Sequence, residues 1–188
     1  MRIIGGKYKG YTIFSQKYPN IRPTSDRARE SIFNILRHSA LISEKKNIIK
    51  GANALDLCCG TGALGFEALS QGAKNVLFVD NDINASKIVK RNIKRLGLEE
   101  SCAVTNQDAT QIKSTENFFS LFFIDPPYKS KIITKILEVL KRQKILKKNA
   151  VGIVELGKQD NFDLINNFSL IRKIDVSSSQ FLFLKYNK

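Results

Sequence analysis

The chain has 188 residues, 43% hydrophobic and 26% charged, which suits one globular domain with a sizeable core and excludes collagen-like, coiled-coil and disordered classes. No run of about 18 apolar residues exists to span a bilayer, and Met1-Arg2-Ile3-Ile4-Gly5-Gly6 lacks the apolar stretch of a secretory leader, so no membrane partner is expected. Lys and Arg number 31 against 17 Asp and Glu, a net charge of +14, and that excess suits a polyanionic partner, nucleic acid above all.

The excess is uneven. Residues 1–50 hold 11 basic and 3 acidic side chains, and residues 51–188 hold 20 and 14. Residues 1–50 therefore read as a basic N-terminal extension, a hairpin plus a helix packed on the core, and 51–188 as the main domain. Arg2-Ile3-Ile4 and Tyr11-Thr12-Ile13-Phe14 form two short predicted strands, with Gly5, Gly6 and Gly10 in the link. After Pro19 and Pro23, Thr24 or Ser25 caps a helix with Asp26 in its first turn, and Ala28, Ile32, Ile35, Leu36 and Ser39 recur at helical spacing.

From Asn53 strands and helices alternate. Predicted strands at 54–57, 76–80, 102–104, 121–124 and 151–156 are separated by predicted helices at 63–70, 83–96 (stopped by Gly97) and 131–141. The tail differs: strands 169–176 and 181–186 are joined by only Ser177-Ser178-Ser179-Gln180, too short for a parallel crossover. The expected fold is α/β, a three-layer sandwich around a seven-stranded, mostly parallel sheet that ends in an antiparallel hairpin.

Between the first core strand and its helix lies Asp56-Leu57-Cys58-Cys59-Gly60-Thr61-Gly62-Ala63-Leu64-Gly65. Gly60, Gly62 and Gly65 fit G-x-G-x-x-G, a turn that lets a ligand approach the backbone at a helix N-terminus. Asp80, at the end of the second strand, is placed to accept both hydroxyls of a ribose. A dinucleotide puts a pyrophosphate on such a turn, where Asp56 is unwelcome; S-adenosylmethionine carries an ammonium and a sulfonium, which carboxylates favour. Asp56-x-x-x-Gly60-x-Gly62 resembles motif I of the class I (Rossmann-like) methyltransferases. That resemblance gives Asp80 the ribose and Asp108, after the third strand, the adenine amine.

Asp125-Pro126-Pro127-Tyr128 follows the fourth strand and so borders the ligand crevice. Two prolines remove two amide donors, leaving a site rich in acceptors. The Asp125 carboxylate and the Pro126 carbonyl are each suited to accept one N–H of a nucleobase amine, aiming its lone pair at a methyl donor. Tyr128 is suited to stack on a base that has left its helix. This tetrapeptide is similar to the signature of amino-methyltransferases acting on base amines. Together with Arg2-Ile3-Ile4-Gly5-Gly6, Arg22 to Leu36 and Gly62 to Ser70, it makes the chain look like the RsmD family of bacterial 16S rRNA guanine-N2 methyltransferases. The resemblance spans essentially the whole chain. It implies the class I fold, S-adenosylmethionine as donor, and a guanine amine of 16S rRNA, or of the small-subunit ribonucleoprotein, as acceptor. Cys58-Cys59 departs from the family's aromatic and small residues, and Asp80 from its more common Glu.

Lys7, Lys9, Arg22 and Arg27 are the candidate RNA contacts; for Arg22, Arg27 and Arg29 a solvated helix face with internal ion pairs weighs equally. Lys141 to Lys148 reads first as a solvated helix end. Three cysteines without CxxC spacing and the single His38 give no metal set, and the odd cysteine count points to a reducing, cytoplasmic setting. A monomer is expected. The rival readings are an adenine-N6 methyltransferase on DNA or RNA, a non-catalytic RNA-binding assembly factor, and, least, a nicotinamide enzyme.

Overall fold

Residues 1–15, 24–38, 47–113, 118–128 and 131–187 are described by the structure, a computed structural model. Strands Asn53–Leu57 (β1), Asn75–Asp80 (β2), Cys102–Asn106 (β3), Phe119–Ile124 (β4), Leu146–Gly157 (β5), Phe168–Val176 (β6) and Ser179–Tyr186 (β7) form one sheet in the order β3-β2-β1-β4-β5-β7-β6. The first five are parallel, and β7 inserts antiparallel between β5 and β6. The strand order reverses between β1 and β4, so the crevice beyond their C-terminal ends is the expected ligand position of such a sheet.

Helices Asp26–His38 (α1), Ala63–Ser70 (α2), Ile83–Leu96 (α3) and Ile133–Gln143 (α4) cover the sheet. Ile32 and Phe33 of α1, Phe66 of α2 and Val89 of α3 share one core with Ala54, Phe78, Phe123, Ile153 and Phe183. Ile136, Leu137 and Leu140 of α4 share the other with Leu55, Leu57, Phe122, Ile124 and Val154. The alternation along each strand produces the three layers: neighbouring side chains serve opposite faces. Asp56 lies between Leu55 and Leu57 and therefore faces α2, and Glu155 faces the α1 side in the same way.

The helix ends follow local chemistry. Ser25 Oγ accepts the Ala28 amide at 3.2 Å, so Ser25 caps α1 and Thr24 is left for another task. Asp82 caps α3 by accepting the Asn84 amide at 2.8 Å, and Gly97 closes it with a left-handed φ of 64°. Several boundaries differ from the sequence reading. α4 begins at Ile133, and β5 begins at Leu146, where an irregularity in its pairing with β4 and a positive φ at Asn149 interrupt the apolar alternation. The β6–β7 link is shorter than expected: Val176 pairs with Ser179, and Ser177 takes a φ of 55° in the tight turn.

The two predicted N-terminal strands are reduced to one bridge, Arg2 with Thr12, plus backbone bonds such as Ile3 N–H to Tyr11 O. Their partner is α2 rather than a longer ladder. Glu67 accepts the amides of Ile4 and Gly5, each at 2.9 Å, and the Lys7 amide donates to Ser70 O at 2.7 Å. Among the described residues no helix is long and apolar enough to cross a membrane.

Candidate active site

The glycine turn opens the crevice. After β1 the backbone passes through left-handed conformations at Cys58 (φ 56°), Gly60 (φ 52°) and Gly62 (φ 79°). At Cys58 this costs on the order of 1 kcal/mol, since its Cβ crowds the carbonyl. Gly62 is fixed by both angle and space: a Cβ there would lie 2.8 Å from the Phe66 ring and 3.0 Å from that of Phe78. Gly60 differs, because a Cβ there would meet nothing within 4 Å. One glycine thus packs the turn against the core, and the other leaves open space on the crevice side.

The acids around the turn divide by task. Asp80 Oδ2 accepts the Gly60 amide at 2.8 Å, and its Oδ1 accepts the Asp82 amide at 2.9 Å. The ribose-binding candidate therefore also braces the turn. Asp108 Oδ1 accepts the Thr110 amide and hydroxyl, both at 2.8 Å, capping the short 3-10 turn after β3. Asp56 lies deeper. It is 1% exposed, and its Oδ2 accepts the Gly65 amide at 2.9 Å, behind the turn and not on its open side. Burial pushes its pKa up to about 8, against the stabilising pull of the Gly65 bond. Its place in the geometry is to tie β1 to the start of α2.

On the other side of the crevice the Asp125 amide donates to Leu57 O at 3.2 Å, which pins the tetrapeptide beside the turn. Pro126 is buried, while Pro127 and Tyr128 are exposed, Tyr128 by 39%. Burial first, then the negative charges of Glu155 and Asp56, raises the Asp125 pKa well above the usual carboxylate range. Thr24 Oγ1 donates to Glu155 Oε2 at 2.8 Å and lies 3.4 Å from Asp125 Oδ2. The Tyr128 hydroxyl reaches Glu155 Oε1 at 3.2 Å and Ser179 Oγ at 2.7 Å.

The two sides meet at Cys58. Burial raises its thiol pKa most, and Asp80, Asp125, Asp56 and Asp108 each raise it further. All four acids predicted from scattered positions are thus close enough to act on one sulfur. No group of His, Cys, Asp and Glu among the described residues has the geometry to hold a metal ion. A cavity of about 160 Å³ lined by Leu156, Phe162, Leu164 and Leu182 involves none of these acids.

Lys7, Lys9 and Arg27 are exposed, and Arg22 lies outside the described residues. Arg29 is not a phosphate contact: it is 1% exposed and bonds Asp26 Oδ1 at 2.7 Å, Arg2 O at 2.8 Å and Thr24 O at 3.1 Å. Sequence reasoning missed Glu155, Ser179 and the side-chain task of Thr24. The available signal was one acid in the apolar run Val151-Gly152-Ile153-Val154-Glu155-Leu156.

A mostly parallel sheet with β7 inserted antiparallel, a glycine turn after β1 and an acid closing β2 define the class I methyltransferase fold. Solved structures agree. The chain matches yhhF from Escherichia coli, provisionally described as a methyltransferase, with a TM-score of 0.83 and 26% identity over 100% of this chain and 98% of that one. An RNA methyltransferase from Salinibacter ruber in complex with S-adenosyl-L-homocysteine shares the fold at a TM-score of 0.66 and 14% identity, covering 89% of this chain and 95% of that one. Within the class the family is specific. The family described as Conserved hypothetical protein 95 matches residues 1–185, and the chain belongs to it, the RsmD family. The ribosomal RNA small subunit methyltransferase D of Haemophilus influenzae is 31% identical over 177 residues, 92% of this chain and 87% of that protein.

Proposed function

We propose that the protein transfers a methyl group from S-adenosylmethionine to the exocyclic N2 amine of a guanine in 16S rRNA. The observation that carries this reading is the placement of Asp125-Pro126-Pro127-Tyr128 against the end of β1, beside the glycine turn that Asp80 braces. The Haemophilus influenzae relative is named for small-subunit rRNA, and the Salinibacter ruber neighbour holds the demethylated cofactor; both support the reading.

S-adenosylmethionine, when bound, supplies a methyl group on a positively charged sulfur. Gly60 leaves room for it, and Asp80 and Asp108 hold its ribose and adenine. Gly62 and Asp56 keep the turn in shape. Asp125 and the Pro126 carbonyl each accept one amine N–H, which directs the nitrogen lone pair toward the methyl carbon. As positive charge develops on nitrogen, these acceptors stabilise the transition state more than the ground state. Tyr128 stacks on the extruded base.

Asp125 and the Pro126 carbonyl suit the amine of either base, and guanine rather than adenine is what membership of the RsmD family implies. The RNA backbone meets Lys7, Lys9 and Arg27 of the basic extension. It is aided by α3, which exposes Lys87, Lys90, Arg91, Lys94 and Arg95 and contains no acid. The protein acts in the cytoplasm as a monomer. Incubation with cofactor labelled in its methyl group and small-subunit rRNA, naked or assembled, tests the reading. Label in RNA is expected, decreasing as salt rises; no transfer in either assembly state contradicts it.

A further inference from the structure

We propose that Glu155 is a positioning residue: with Ser179 and Thr24 it holds Tyr128 in the orientation that receives the acceptor base. This rests on the reading that Tyr128 stacks on that base. Glu155 is 5% exposed near the C-terminal end of β5, on the α1 side of the sheet. Its partners come from three other parts of the chain. Thr24 precedes α1 and donates to Oε2 at 2.8 Å; Ser179 begins β7 and donates to Oε1 at 2.9 Å; Tyr128 follows β4 and reaches Oε1 at 3.2 Å. Tyr128 and Ser179 are also joined at 2.7 Å.

These three partners are hydroxyls, and the Asp125 carboxyl also faces Glu155. Among the described residues the two ion pairs both belong to Asp26, so no described cation pairs with Glu155. Burying a carboxylate without a cation is costly, and an apolar side chain like those around it on β5 would avoid that cost. A fully bonded polar network at such a site instead fixes one geometry. Only the phenol end of Tyr128 is tied, while the residue remains 39% exposed. The network therefore fixes where the ring points without covering it. Thr24 extends the same control to Asp125: its single hydroxyl hydrogen goes to Glu155 at 2.8 Å, leaving the 3.4 Å contact with Asp125 as the weaker one.

The test compares Glu155→Gln, Tyr128→Phe and their double variant in the full chain. Tyr128→Phe keeps the ring and removes only its tether. Each single variant is expected to raise the KM for the RNA acceptor by about tenfold while the cofactor Kd stays unchanged. The double variant is expected to match the worse single one, because both changes break one connection. Additive effects, or a cofactor Kd that worsens in step with KM, overturn the proposal. A second readout is independent of transfer. In protein labelled at tyrosine, the ring resonance missing from Tyr128→Phe identifies Tyr128, and that resonance is expected to shift in Glu155→Gln. If it shifts while the wild type methylates no RNA, the activity reading has failed and only the tether of Glu155 on Tyr128 stands. If RNA is methylated and neither KM nor the resonance moves, the positioning falls. Should Glu155→Gln fail to fold, Tyr128→Phe decides alone: an unchanged acceptor KM overturns the proposal.

Discussion

The two sides of the crevice are built differently. The cofactor side comes from one continuous stretch, Asp56 to Gly65, closed by Asp80, and its bonds run between near neighbours such as Asp56 with Gly65 and Asp80 with Asp82. The acceptor side joins Thr24, Asp125, Tyr128, Glu155 and Ser179, whose bonds cross sequence separations of up to 131 residues. One side is a local backbone device made by glycines; the other is a side-chain network made by the sheet. Substitutions on the two sides should therefore fail differently.

Asp125→Ala gives the largest separation. Loss of the amine acceptor is expected to lower transfer by about 100-fold or more. Calorimetric cofactor affinity should stay near wild type, and parallel loss of both would assign Asp125 to the cofactor side. Gly62→Ala should do the reverse. It forces a side chain into a φ of 79° and against Phe66 and Phe78, costing about 1–3 kcal/mol of stability in denaturant titration. Cofactor binding should weaken before acceptor binding does; an intact turn with normal affinity would contradict this.

The last contrast concerns Asp56. Its folded pKa is raised from 3.8 to about 8, so the neutral carboxyl contributes stability that is complete below pH 3.8 and is lost as pH rises through about 8. Asparagine keeps an oxygen for the Gly65 amide and does not titrate. Wild-type Tm should therefore fall relative to Asp56→Asn between pH 5 and 9. A constant difference would show that Asp56 is charged throughout.

The same contrast explains what was legible in the sequence. The alternation of strands and helices, the end of α3 at Gly97 and the glycine turn follow from periodicity and local backbone chemistry. The tetrapeptide was legible because its four residues are contiguous. Glu155 and Ser179 were not, because a single acid in an apolar strand shows its role only when β5 and β7 are paired and α1 is laid across them. Asp56 was legible as a residue, but its bond to the Gly65 amide was not, since its burial under α2 depends on packing. For Arg29 the sequence left phosphate contact and internal ion pairs equally open, and its partners Arg2, Thr24 and Asp26 decide for the latter only once the N-terminal segment folds back.

The central claim is that the acceptor side takes a guanine amine. Mass spectrometry of nucleosides from small-subunit rRNA of cells with and without this protein tests it directly. The account predicts the loss of one N2-methylguanosine, restored by the wild-type chain and not by Asp125→Ala. Unchanged N2-methylguanosine, or loss of N6-methyladenosine in its place, would contradict it.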